Sequence, residues 1–217
     1  MEMAGLVEGS LAKAITAVQK RDPTDTAYVQ RTDQRIDELE IEIDERTLEL
    51  LALQQPMASD LRQIVTTNKL SNDLERIGDH AVNIARSVAR LHGTHPLPEM
   101  RELEEMMEVT REMVSDALAA YVSRNAVAAR MVCATDDRVD DLRGSMFRIL
   151  VTHMLEDPKR ISGALELLLI SQNLERIADL STNISEDVVF LVEGRTIKHG
   201  HEIDEDDEDE GGGARAP

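Results

Sequence analysis

In 217 residues there is no tryptophan, and there are only two tyrosines, two phenylalanines, six prolines and one cysteine. So few aromatics disfavour a β-sandwich, which packs aromatic and β-branched side chains, and suit helix interfaces built from Leu, Ile, Val, Ala and Met. The single Cys133 rules out an internal disulfide and fits a reducing compartment. Turn-forming glycine and proline are sparse before the C-terminal tail, so the elements should be long. No apolar run approaches the roughly 20 residues a membrane span needs. The longest covers residues 164–170 and contains Glu166. No basic-then-apolar leader opens the chain, and a cytoplasmic location is expected.

Basic charge is also scarce, with 24 Lys and Arg against 43 Asp and Glu and a formal net charge of -19. That disfavours a nucleic-acid backbone or an anionic lipid surface as the main partner, and favours basic proteins, cations or metals. Residues 201–217 hold eight of the acids and one base, Arg215, so the body stays acidic without the tail.

Between the breaks, apolar residues follow the helical period. The spacing predicts a first helix over 1–21 with Leu6, Leu11, Ile15 and Val18 inward. A second starts at Asp22-Pro23 and runs to about Gln55, with Ile36, Leu39, Ile43 and Leu50 as its core stripe. A third runs from Pro56 to Leu91. The plan then repeats over about 98–123, about 127–156, and from the Asp157-Pro158 break to Glu193. This is an all-α fold of six long helices, read as two tandem pseudo-symmetric three-helix bundles. The expected boundaries are 1–94 for the first bundle, 95–200 for the second, and 201–217 for a disordered acidic tail.

An internal repeat is the firmest signal. Asn72-Asp73-Leu74-Glu75-Arg76-Ile77-Gly78-Asp79 returns 100 residues later as Gln172-Asn173-Leu174-Glu175-Arg176-Ile177-Ala178-Asp179. Upstream, Asp33-x-x-x-Asp37 returns 103 residues later as Asp136-x-x-x-Asp140.

At about 100° per residue, Asp33, Asp37, Glu40 and Asp44 share one flank of the second helix, beside its apolar stripe. Glu75 and Asp79 form an i, i+4 pair on the third. With the two helices antiparallel, the acidic flanks face each other across a groove. Like charges at this spacing cost a few tenths of a kcal/mol per pair, so a counter-ion is expected. Oxygen donors suit Fe(III), Mn(II), Mg(II) or Ca(II), and Zn(II) tolerates them. The competing reading is a solvated acidic face relieved by Arg35, Arg46, Arg76 and Arg86. The second copy keeps Asp136, Asp140, Glu175 and Asp179, but Arg143 and Phe147 stand where Glu40 and Asp44 do in the first, which predicts a weaker site.

A di-iron oxidase of the ferritin type would show Glu-x-x-His, and none of the six histidines has Glu three residues before it. Cys133 reads as a small apolar residue, Met106, Met107 and Met113 as core filler, and His199 and His201 as part of a solvated tail.

These residues resemble the PhoU family of phosphate-uptake regulators. The resemblance rests on Met3-Ala4-Gly5-Leu6-Val7-Glu8, on the two Asp-x-x-x-Asp motifs with Glu40-x-x-x-Asp44, and on Gln54-Gln55-Pro56-x-Ala58-x-Asp60-Leu61-Arg62. It extends through both Leu-Glu-Arg-Ile-x-Asp segments to Phe190-Leu191-Val192-Glu193-Gly194. It implies two three-helix bundles whose acidic motifs hold metal ions, iron or zinc in multinuclear clusters with Mn or Mg as alternatives, and no organic cofactor. It implies a non-enzymatic, negative regulator of phosphate uptake and of the phosphate-starvation response. Its implied partners are the ATPase subunit of the phosphate ABC transporter, the phosphate-sensing histidine kinase and, as a homodimer, a second copy. Two alternatives stand beside it: a carboxylate-bridged metal enzyme, hydrolase or oxidase, and a metal-free docking module. The chain departs from the family pattern at both ends: the Met3–Glu8 segment, normally inside the first helix, lies at the N-terminus, and the acidic tail extends past the usual end.

Overall fold

Asp22 and Asn125 do the same work 103 residues apart. Each side chain caps free backbone amides, Asp22 at Thr24 and Asn125 at Val127 and Ala128. Each is preceded by an arginine in the left-handed region, Arg21 at φ 52° and Arg124 at φ 51°, which closes the helix before it. The duplication thus extends to cap geometry, beyond the motifs.

A computed structural model describes residues 1–197. Its helices are α1 (Glu2–Lys20), α2 (Thr26–Gln54), α3 (Ala58–Leu91), α4 (Arg101–Ser123), α5 (Ala126–Cys133), α6 (Asp136–Glu156) and α7 (Ile161–Glu193). Single 3-10 turns, Pro23–Asp25 and Pro158–Arg160, lead into α2 and α7. The described residues contain no strand. α1, α2 and α3 form one three-helix bundle, and α4, the α5–α6 pair and α7 form its pseudo-symmetric copy. The tail, with His199 and His201, lies outside the described residues.

Two expectations need correction. The helix expected over about 127–156 is divided by a turn at Ala134 and Thr135, where Thr135 N–H bonds back three residues to the Val132 carbonyl. No glycine or proline marks this break in the sequence. Leu50 is not in the core: it is 44% exposed, because α1 is ten residues shorter than α2 and the buried positions of α2 end at Leu39. Met106, Met107 and Met113 are buried, as expected.

One apolar cluster runs through both bundles, from Met3 and Leu11 in α1 through Ile77 and Ile84 in α3 to Met106, Ile170 and Ile177. The third helices carry it across. α3 and α7 lie antiparallel against each other, with Lys69 bonded to Asp187, His80 to Asn173, and Arg90 to Glu166. Asp187 is almost wholly buried, and Lys69 also stands 5.7 Å from the Phe190 ring centroid. Since α7 repeats α3 at 100 residues, this register sets the two copies about a pseudo-dyad near Gly78 and Ala178.

Candidate functional site: two carboxylate grooves

The 4-3-4 spacing on α2 and the 4 spacing on α3 place six carboxylates along one antiparallel seam, with Asp33 tight against α3. A β-carbon added to Gly78 would lie 3.2 Å from Asp33 Oδ1. Partial burial pushes the Asp33 carboxyl up to about 6, and the charges of Asp37 and Asp79 add to it, while Arg86 opposes. Asp37 is raised by burial and then by Asp79, and Glu40 by burial and then by Asp44 and Asp37. Glu75 is raised by burial and by the fields of Asp79, Asp37, Glu40 and Asp33. The flanks of α2 and α3 therefore do face each other.

Little cationic relief reaches this groove. Arg35 is committed to Glu2, Glu38 and Glu42, Arg46 to Glu42, and Arg76 to Asp73. Of the four arginines expected to offset the stripe, Arg86 alone lowers Asp33. Asp33 Oδ1 and Asp44 Oδ1 are buried with no hydrogen-bond partner. The donor set is oxygen-rich and short of protons and cations, which is the chemistry a hard cation answers. Yet among the described residues no three His, Cys, Asp or Glu side chains converge closely enough to hold a metal ion. Sharing one would require these carboxylates to turn toward each other.

The second groove repeats the first and neutralises itself. Asp136 is pushed up to about 6 by burial and by Asp179 and Asp140, with the Thr182 hydroxyl opposing. Burial raises Glu175 and Asp179, and Arg143 pulls both down. Arg143 Nη1 stands 3.4 Å from Glu175 Oε1, so the residue in Glu40's place is a tethered counter-ion. Phe147, in Asp44's place, is 56% exposed. Aligning the repeats reveals Arg143, but its pairing with Glu175 needs the fold.

The pseudo-dyad links the grooves. Arg76, Asp79, His80 and Asn83 of α3 and Arg176, Asp179, Leu180 and Asn183 of α7 line a shared cleft of about 420 Å³. His80 bonds Asn173 at 3.0 Å, and burial lowers its pKa, so it is not a resident cation at neutral pH. Cys133 is half-buried, and burial pushes its thiol up to about 11, which removes it as a nucleophile. No helix among the described residues is long and apolar enough to cross a membrane.

A family model described as "PhoU domain" matches residues 1–88 and again 103–188. A phosphate-specific transport system accessory protein PhoU homolog of Clostridium acetobutylicum is 36% identical over 198 residues, covering 91% of this chain and 90% of the relative. That of Zymomonas mobilis is 39% identical over 199 residues, covering 90% and 83%. The crystal structure of PhoU from Pseudomonas aeruginosa superposes with a TM-score of 0.85 at 38% identity, covering 89% of this chain and 93% of that one. The phosphate transport system regulatory protein PhoU from Streptococcus pneumoniae gives 0.83 at 29%, covering 90% and 92%.

Proposed function

The chain belongs to the PhoU family, and from that premise we propose that it is a non-enzymatic, cytoplasmic regulator that restrains phosphate uptake. The observation that carries this is the family match in both halves at relatives' full bundle length, with both acidic motifs present. The regulator acts as a helical adaptor between the ATPase of the phosphate ABC transporter and the phosphate-sensing kinase. Deleting the gene tests the role: radiolabelled phosphate uptake in phosphate-rich medium should rise severalfold and fall again on complementation. Unchanged uptake would sink it.

We further propose that metal ions act on the first groove, held by Asp33, Asp37, Glu40, Asp44, Glu75 and Asp79. The support is its uncompensated charge, set against the Arg143–Glu175 pair of the second groove. A bound cation would supply the positive charge that the first groove lacks. Asp136, Asp140, Glu175 and Asp179 make the smaller site. Titration of chelator-stripped protein with Mn(II), Zn(II) or Fe(II) is the direct check, with Glu75→Ala and Asp79→Ala together expected to remove the tighter step. Retention of all binding in that variant would leave the groove a metal-free docking surface.

A further inference from the structure

The pseudo-symmetry makes one part of the molecule readable from another. In the second half, residues 97–103 lie in a groove between the end of α1 and the α4 and α7 helices, reducing it to about 100 Å³. Leu97, Met100 and Leu103, three residues apart, are 5%, 7% and 7% exposed there. Arg21, the left-handed residue closing α1, donates from Nη2 to the Leu97 carbonyl at 2.7 Å and fixes the segment's backbone.

The same groove exists in the first half, turned by the pseudo-dyad, and it is open. It lies between the start of α1, the middle of α3 and the end of α4, with a volume of about 630 Å³. Tyr121 and Val122 stand where Val18 and Gln19 do in the other copy, and Thr67 where Leu167 does. Its lining is mainly apolar, including Met3, Leu70, Leu74 and Leu118. Arg124, the counterpart of Arg21 in chain position and in left-handed backbone, stands at the same end. Its Nη2 is held by Gln63 Oε1 at 2.7 Å, and Gln63 in turn donates to the Tyr121 hydroxyl. The clamp is in place, and no described residue fills its groove.

We propose that this groove is a docking site for a segment of a partner protein that presents leucine or methionine at every third residue. The segment seats as residues 97–103 seat in the second half, with Arg124 leaving Gln63 to take a backbone carbonyl. A second copy of this chain is a poor occupant, because its own 97–103 segment is already buried. The proposal does not depend on the phosphate role or on metal in the carboxylate grooves.

The chain supplies its own probe. A fluorescein-labelled peptide of residues 94–108 should raise its anisotropy saturably with the full-length protein, and replacing Leu97 and Met100 of the peptide by alanine should weaken binding at least tenfold. Gly5 lines the groove, and a β-carbon there meets nothing within 4 Å. Gly5→Leu should therefore leave the fold intact, shown by an unchanged or raised melting temperature, and abolish peptide binding. Arg124→Gly keeps the left-handed cap and should weaken binding about threefold or more. The proposal is overturned by absence of saturable binding, by binding that survives Gly5→Leu in a folded protein, or by self-association of the chain that Gly5→Leu removes.

Discussion

Gly78 and Ile36 meet across the first bundle so closely that a β-carbon on Gly78 would stand 3.2 Å from Ile36 Cδ1. In the second bundle the same two positions are Ala178 and Val139, both buried. One copy has the methyl on α2's side of the contact, and the other has it on α7's. Volume is conserved while its location is exchanged, the kind of swap cores tolerate.

This makes a double-mutant prediction. Gly78→Ala alone should destabilise by about 1 kcal/mol, overpacking outweighing the gain in helix propensity. Ile36→Val alone should cost about 0.5–1.5 kcal/mol. The pair together should lie within about 0.5 kcal/mol of the parent, a coupling readable from urea unfolding. Simple additivity of the two losses would show that the contact is not tight.

Arg143→Glu would give the second groove the charge pattern of the first. Without metal it should lower the melting temperature, because Glu175 loses its 3.4 Å partner and gains a like charge. With Mn(II) or Zn(II) it should add a binding step in calorimetric titration. An unaltered isotherm would count against a counter-ion role for Arg143.

The raised carboxyls give a pH signature to metal-stripped protein. Asp33 titrates at about 6 in the fold against a model value of 3.8, so between those values the native state holds more protons than the unfolded chain. Its contribution to stability is fully present below 3.8 and is lost as pH rises through about 6. Melting temperature should accordingly rise on going from pH 7 to pH 5, and rise less in Asp33→Asn. Equal gains in both proteins would remove Asp33 as a cause.

Cys133 offers a clean measurement, being the sole thiol. With its pKa pushed up to about 11, alkylation by iodoacetamide at pH 8 should be on the order of a hundredfold slower than in urea-unfolded protein. Mass spectrometry follows the single adduct, and comparable rates in both states would contradict the burial argument.

Much of this was legible beforehand, and the gaps have physical causes. Helical spacing located α1, α3, α4 and α7, and the repeat located all ten carboxylates, since both are properties of local sequence. The turn at Ala134–Thr135 carries no breaker residue and arises from packing. Leu50 was misplaced because periodicity gives a helix's apolar face without saying how far its neighbour extends along it. The shared core was missed, although its trace is present: buried positions on α7 crowd round much of its circumference from Leu174 to Leu191, the mark of a helix packed on several sides. The four arginines named as relief for the first stripe were chosen by nearness in sequence. The structure directs Arg35, Arg46 and Arg76 to other acids, and only Arg86 serves.

The antiparallel register of α3 on α7, in which Lys69 meets Asp187 and Arg90 meets Glu166, is what a two-fold dimer of a three-helix unit would have at its interface. In such a dimer every substitution appears twice, so a glycine opposite isoleucine in one subunit could not coexist with alanine opposite valine in the other. Joining the units in one chain frees the copies to diverge separately. One can keep an uncompensated acidic groove and an open docking cleft while the other acquires its own arginine and its own plug.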